Sequence, residues 1–271
     1  MFTVRGRVVV LAVLGSALLA GCGPGDTEAP AVTTGSAIAS SQSSAPPAPR
    51  TSVPEPVPVV VLDPGHNGGN AAAPGEVNRK VPAGRGRTKA CNTTGTATDA
   101  GYAEHAFNFD VANRVSDILT AQGVHVIFTR EDNTGVGPCV DERARIGNDS
   151  GADAVVSIHA DGATDPGARG FHIAHSAPAL NEAQGAPAQE LARELRADLL
   201  AADFPLSTYI GEGGLSPRDD LAGMNLSTRP SVLLECGNMR NPAEAAMMST
   251  PDGRQRYADA IAAGIASYLD L

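Results

Sequence analysis

Beyond residue 57 the chain alternates between two kinds of apolar pattern. Short unbroken apolar runs, each a few residues long, stand at 58–63 (PVVVLD), 124–130 (VHVIFTR), 154–159 (AVVSIH), 170–175 (GFHIAH) and 231–235 (SVLLE). Their length and β-branched content predict strands of a buried sheet. Between them lie longer stretches with apolar positions three and four apart. Residues 103–121 carry Phe107, Val111, Val115, Ile118 and Leu119, and Gly123 follows as a stop signal. Residues 139–149, 187–202 and 252–269 read as helices too, the last with Ile261, Ile265 and Leu269 in register. This alternation predicts a single α/β domain over 58–271, with a twisted, mostly parallel central sheet and helices on both faces. One stretch breaks the rule. Residues 68–101 are rich in Gly, Ala, Thr and Arg and show no period, so they are expected to be a long loop, functional or mobile.

The first 57 residues are different. Arg5 and Arg7 precede an apolar run from Val8 to Ala20, which ends in Leu19-Ala20-Gly21-Cys22. The run is too short to span a membrane comfortably and fits a secretory signal; its end resembles a bacterial lipobox. Residues 1–22 are therefore expected to be a signal peptide, with Cys22 lipidated as a membrane anchor. Residues 23–57 are Pro, Ala, Ser and Thr with almost no large apolar side chain. They are expected to be a disordered tether. Export to the outer face of the cytoplasmic membrane, or to the periplasmic or cell-wall space, follows.

A net charge of −10 argues against a nucleic-acid partner, and a monomer is expected. Export permits disulfides. Cys91 and Cys139 both lie in polar, turn-rich surroundings and are the economical pair. Their bond would close a loop worth on the order of 4 kcal/mol. Cys236 follows an apolar run and is expected to be a buried free thiol.

The candidate chemistry lies where the strands end. VVVLDPGH finishes on His66, AVVSIH on His159 and SVLLE on Glu235. Open α/β sheets bind ligands outside the carboxyl ends of their strands, and buried runs rarely finish on charged residues without partners. Glu104 opens the 103–121 helix. A first-turn carboxylate suits the helix dipole on its own account, but it could also complete a His/Glu/His set with an open position, the pattern of catalytic zinc. His66 alone would pass for a turn residue.

Taken together, D-P-G-H at 63–66, E-H-A-F-N at 104–108, F-T-R at 128–130, S-I-H-A-D at 157–161 and L-L-E-C-G-N at 233–238 resemble the zinc-dependent N-acetylmuramoyl-L-alanine amidases of the Amidase_3 type. Arg143, Asn148 and the run D-D-L-A-G-M-N (219–225) fit the same pattern, and the likeness spans about 58–270. It implies zinc held by His66, Glu104 and His159, with Glu235 as the catalytic acid/base, cutting the bond between N-acetylmuramic acid and L-alanine in peptidoglycan. The alternatives are another zinc peptidoglycan peptidase, or an inactive wall-binding lipoprotein. The 68–101 stretch is longer than in many relatives, which leaves Glu76 as a second choice for the carboxylate ligand. Asp63 is expected to orient the turn or His66, and Asn108 to brace the site or simply pack. His105, His125, His172 and His175 are expected to be solvent-facing or structural.

Overall fold

A computed structural model describes residues 56–165 and 167–271. The expected signal peptide at 1–22, and the tether at 23–57 but for its last two residues, lie outside the described residues. In chain order the elements are β1 (Val59–Pro64), α1 (Pro74–Val77), β2 (Lys80–Pro82), β3 (Thr88–Ala90), α2 (Glu104–Ala121), β4 (His125–Phe128), α3 (Val140–Asp149), β5 (Ala154–Asp161), β6 (His172–Ser176), α4 (Ala186–Ala201), β7 (Leu215–Arg218), α5 (Ala222–Leu226), β8 (Ser231–Asn238), α6 (Pro242–Met248) and α7 (Pro251–Tyr268). Among the described residues no helix is long and apolar enough to cross a membrane.

The six-stranded sheet runs β4-β1-β5-β8-β6-β7. All its pairings are parallel except β6 with β8. The fold class read from the apolar pattern is therefore the observed one.

The period-two geometry of a strand divides the sheet into unequal faces. Val60 and Leu62 of β1, Val156 and Ile158 of β5, and Val232 and Leu234 of β8 point to one side. They join Phe107, Val111 and Val115 of α2, Leu191 and Leu195 of α4, and Tyr257 and Ile261 of α7 in the main core. Each of these side chains is fully buried, worth roughly 1.5–3 kcal/mol apiece for the larger aliphatics. Gly264 of α7 lets that helix approach α4: an added Cβ would lie 2.6 Å from Leu195 Cα. The opposite face carries only a small cluster of Val61, Ala152 and Val155. There Gly147 of α3 rests on Val155.

Three features depart from the sequence reading. The 68–101 stretch is not a plain loop: it holds α1 and a hairpin of β2 and β3, with Val81 paired to Lys89. Its lack of period follows from the shortness of those elements, too brief for a repeat to show. β7, α5 and α6 were not anticipated, for the same reason. Finally, β6 starts at His172 rather than Gly170, because Gly170 adopts φ +91° against the Leu206 carbonyl.

Candidate active site

The thinly covered face becomes the floor of a cleft at the carboxyl ends of the strands. The alternate positions Asp63, then Ser157, His159 and Asp161, then Leu233 and Glu235 all line one cavity of about 490 Å³. His159 of β5 stands directly beside Glu235 of β8 in the sheet register. The same alternation that buries Leu62, Ile158 and Leu234 behind the sheet puts these polar groups in front.

His66, Glu104 and His159 converge, with one donor atom from each lying within 4.8 Å of the others. Glu104 Oε1 is 3.1 Å from His66 Nε2 and 3.0 Å from His159 Nδ1. Zinc ligands at 2.0–2.1 Å in a regular tetrahedron stand about 3.3 Å apart, so these separations fit a shared ion. His66 Nδ1 lies 3.1 Å from both the Thr93 carbonyl and Thr93 Oγ1. A partner of this kind on the far nitrogen is the usual support of a metal-binding imidazole. Glu76 is exposed on α1 and is not part of the cluster.

Each member of the set is held from several sides. Glu104 sits in the first turn of α2; its backbone N–H donates to the Thr96 carbonyl and its Oε2 accepts from Thr96 N at 2.9 Å. Oε1 also accepts from Ala160 N and from Asn108 Nδ2 one turn along the helix, so Asn108 braces the site. Burial alone would raise the Glu104 carboxyl, but the hydrogen bonds and charge of His159 and His66 hold it well below the usual carboxylate range. His66 has φ +60°, a left-handed conformation that costs a non-glycine residue about 1 kcal/mol or more. Gly65 gives His159 its place, since a Cβ there would lie 2.1 Å from the ring. Gly95 lies over the cluster at φ +76°, where a Cβ would meet Glu104 Oε2 at 2.8 Å and His66 Cδ2 at 2.9 Å.

Beneath His66 lie two buried guanidiniums. Arg143 donates to Asp63 Oδ1 at 2.7 Å, to the Pro64 carbonyl at 2.8 Å and to the His66 carbonyl at 2.7 Å. Arg130 donates to the Pro64 carbonyl at 2.8 Å and to the His105 carbonyl at 2.8 Å. Asp63 also accepts from Thr129 and Ser157, each at 2.6 Å. Burial would raise its carboxyl, yet Arg143 and these hydrogen bonds bring it down to about 2. Asp63 thus acts on His66 through Arg143 and the backbone, not by touching the ring.

Glu235 is half-buried in the cleft, and its Oε2 is buried with no hydrogen-bond partner among the described residues. Burial, reinforced by the Asp161 and Glu104 carboxylates and opposed by Arg218, pushes its carboxyl well above the usual range. A carboxyl raised in this way, beside a cluster that could hold a metal ion, is chemically suited to acid/base work. Asp161 accepts from Tyr209 Oη at 2.8 Å.

His172 and His175 are buried, not solvent-facing. His105 contacts Asn133 through Nδ1, and His125 is exposed. The disulfide joins Cys91 to Cys139 and leaves Cys236 free and buried. It ties the segment carrying Thr93, Gly95 and Thr96 to the start of α3. Ser157, Asp161 and Arg130 enter the sequence reading only as members of the S-I-H-A-D and F-T-R motifs, with no role of their own. Thr96 does not enter it, because it meets Glu104 through its backbone.

Two imidazoles and a carboxylate that could hold a metal ion thus lie beside a further carboxyl in a cleft at the carboxyl end of the parallel strands, where open α/β sheets bind ligands. The chain belongs to the N-acetylmuramoyl-L-alanine amidase family, whose profile matches residues 60–267. It is 47% identical over 211 residues to an N-acetylmuramoyl-L-alanine amidase of Mycobacterium tuberculosis, spanning 78% of this chain and 86% of that protein. The crystal structure of an N-acetylmuramyl-L-alanine amidase from Mycobacterium smegmatis superposes with a TM-score of 0.76 at 52% identity, covering 79% of this chain and 97% of that one. The amidase AmiA of Escherichia coli is 29% identical over 245 residues, 78% of this chain and 76% of that protein.

Proposed function

We propose that this enzyme hydrolyses the amide between N-acetylmuramic acid and L-alanine in peptidoglycan, with zinc held by His66, Glu104 and His159. The observation that carries this reading is the meeting of those three side chains within 4.8 Å, beside Glu235, whose buried Oε2 has no partner among the described residues. Bound zinc would supply Lewis acidity, lowering the pKa of water towards 7 and drawing charge from the scissile carbonyl. Glu235 takes the proton of the attacking water and returns it to the departing alanine nitrogen. General acid–base work of this kind contributes roughly 10²–10⁴-fold. Asn108 and Thr96 fix the Glu104 carboxylate, while Arg143 and Thr93 fix His66 from its carbonyl and its ring.

The N-terminal features complete the proposal. Residues 1–22 direct export, Cys22 carries the lipid, 23–57 form the tether and 58–271 the catalytic domain. The enzyme then acts as a monomer at the outer face of the cytoplasmic membrane, reaching the wall above it.

Digestion of purified muropeptides, read by mass spectrometry with and without a chelator, tests the activity. Release of free stem peptide beginning at L-alanine, abolished by the chelator and restored by zinc, is the expected result. Shortened stems still attached to sugar would assign the site to a peptidase, and intact muropeptide throughout to a binding protein.

A further inference from the structure

Two buried polar atoms without a hydrogen-bond partner among the described residues stand on neighbouring positions of the sheet. One is Glu235 Oε2 and the other is His172 Nδ1. His172 of β6 pairs directly with Glu235 of β8 in the antiparallel register. Both side chains therefore leave the same face, with Cβ atoms about 4.5–5.5 Å apart. His159 of β5 pairs with Glu235 from the other side, so His159, Glu235 and His172 form one row across three strands. His172 is only 2% exposed. Buried polar atoms in native folds are almost always satisfied, and here two orphans stand side by side.

The surroundings of the ring say which way it serves. His172 Nδ1 lies 3.7 Å from Asp161 Oδ2, too far for a hydrogen bond. That oxygen already accepts from Tyr209 Oη at 2.8 Å, and the Tyr209 ring meets His172 edge-on with centroids 6.2 Å apart. Asp161 belongs to β5 and His172 to β6, and β8 runs between those strands. Their approach thus passes over β8 on the face that carries Glu235. Burial lowers the His172 pKa, with Arg218 adding to the effect and Asp161 opposing it, so the ring is neutral and has one N–H. The acceptors on the Nδ1 side are carboxyl oxygens, which places that hydrogen on Nδ1. Glu235 itself lines the cavity. With Oε2 buried, Oε1 is the oxygen left to face the cleft.

Resting on the acid/base role proposed for Glu235, we infer that His172 is a positioning residue whose Nδ1–H donates to Glu235 Oε2 and thereby aims Oε1 at the attacking water. Oε2 is an acceptor whether Oε1 is bare or protonated. The bond therefore persists while Oε1 takes the water's proton and passes it to the leaving nitrogen. His172 touches no reacting atom and no metal ligand's donor atom, so its loss is read in kcat and not in KM or zinc affinity. A hydrogen bond to a charged group away from water corresponds to about 10–100-fold in rate.

The test compares three replacements of His172. Asparagine carries an amide nitrogen where histidine carries Nδ1, glutamine carries one where histidine carries Nε2, and leucine has neither. With zinc-loaded protein and purified muropeptides, His172→Leu and His172→Gln are expected to lower kcat by about tenfold or more with KM within a few-fold of wild type. His172→Asn is expected to keep most of the rate. Infrared spectra of the metal-free protein read the bond without turnover, the Glu235 carboxyl band being identified by its loss in Glu235→Gln. That band should shift in His172→Leu and His172→Gln and stay in place in His172→Asn. A band unmoved in both His172→Leu and His172→Gln overturns the inference and gives the Nδ1 hydrogen to Asp161 alone. Equal loss of kcat in all three variants overturns it too, because packing would then be the cause. Wild-type protein that releases no stem peptide overturns the amidase reading, and the infrared shift still decides whether His172 holds Glu235.

Discussion

Removing the charge of Asp63 should change stability in a pH-dependent way whose size the structure sets. The Asp63 carboxyl lies at about 2 in the folded protein, against an ordinary 3.8. That difference is worth roughly 2 kcal/mol of folding free energy. The folded value is depressed, so the contribution is complete above the unfolded value near pH 4 and is lost as pH falls through about 2. In Asp63→Asn the Arg143 guanidinium keeps its carbonyl partners but loses its counter-charge, with the buried Arg130 close by. Breaking a buried pair on one side costs about 3–5 kcal/mol. Urea unfolding of metal-free wild-type and variant protein, between pH 7 and pH 2, measures the difference directly. The variant should be several kcal/mol weaker at pH 7, and the gap should close by roughly 2 kcal/mol on the way to pH 2. A gap that stays constant across that range would refute the assignment, because it would mean that Asp63 titrates alike in the folded and unfolded chains.

Three further outcomes follow from the same geometry. Glu235→Gln should lower kcat by about 10²–10⁴-fold while zinc affinity, read by competition with a chromophoric chelator, stays within a few-fold of wild type; loss of zinc in that variant would make Glu235 a ligand. Gly95→Ala places a methyl 2.8 Å from Glu104 Oε2 at φ +76°, and the same competition assay should report zinc affinity at least about tenfold weaker, with unaltered affinity showing that Thr94–Thr96 can move aside. Replacing Cys91 and Cys139 by alanine opens a loop with a sequence separation of 48, which should cost about 4 kcal/mol and lower Tm by roughly 10 °C in calorimetry.

Much of this molecule can be read from its strands. Runs such as VVVLDPGH and AVVSIHAD encode burial on both sides of a sheet and then switch to polar residues where the sheet ends, so His66, His159 and Glu235 can be placed once the strand ends are set side by side, although His66 alone would pass for a turn residue. Glu104 needs the resemblance to be chosen over Glu76, because a first-turn carboxylate has an ordinary explanation. What stays hidden is whatever depends on backbone atoms as partners. Thr96 meets Glu104 through two main-chain contacts, and no side-chain pattern announces them. The hairpin is hidden for another reason. Three-residue strands are too short for any period, and an Arg- and Gly-rich stretch reads as loop whether or not it pairs.

The conformation of His66 links these levels. A histidine at φ +60° is strained by about 1–3 kcal/mol, and nothing in Asp-Pro-Gly-His demands it. The strain is offset from below. Guanidiniums hold the carbonyls of Pro64 and His66, the amide of Gly65 donates to Ile158, and the Thr93 carbonyl fixes the ring. These partners come from α3, from β5, from the chain following β4 and from the segment after β3, so the ligand geometry is set only when the whole domain has assembled. On the zinc reading proposed above, the folded domain itself would hold the three side chains in position for the ion. It also explains why Asp63, three residues before His66, bears on the site without touching it: its carboxylate anchors the Arg143 fork that holds the histidine's own backbone.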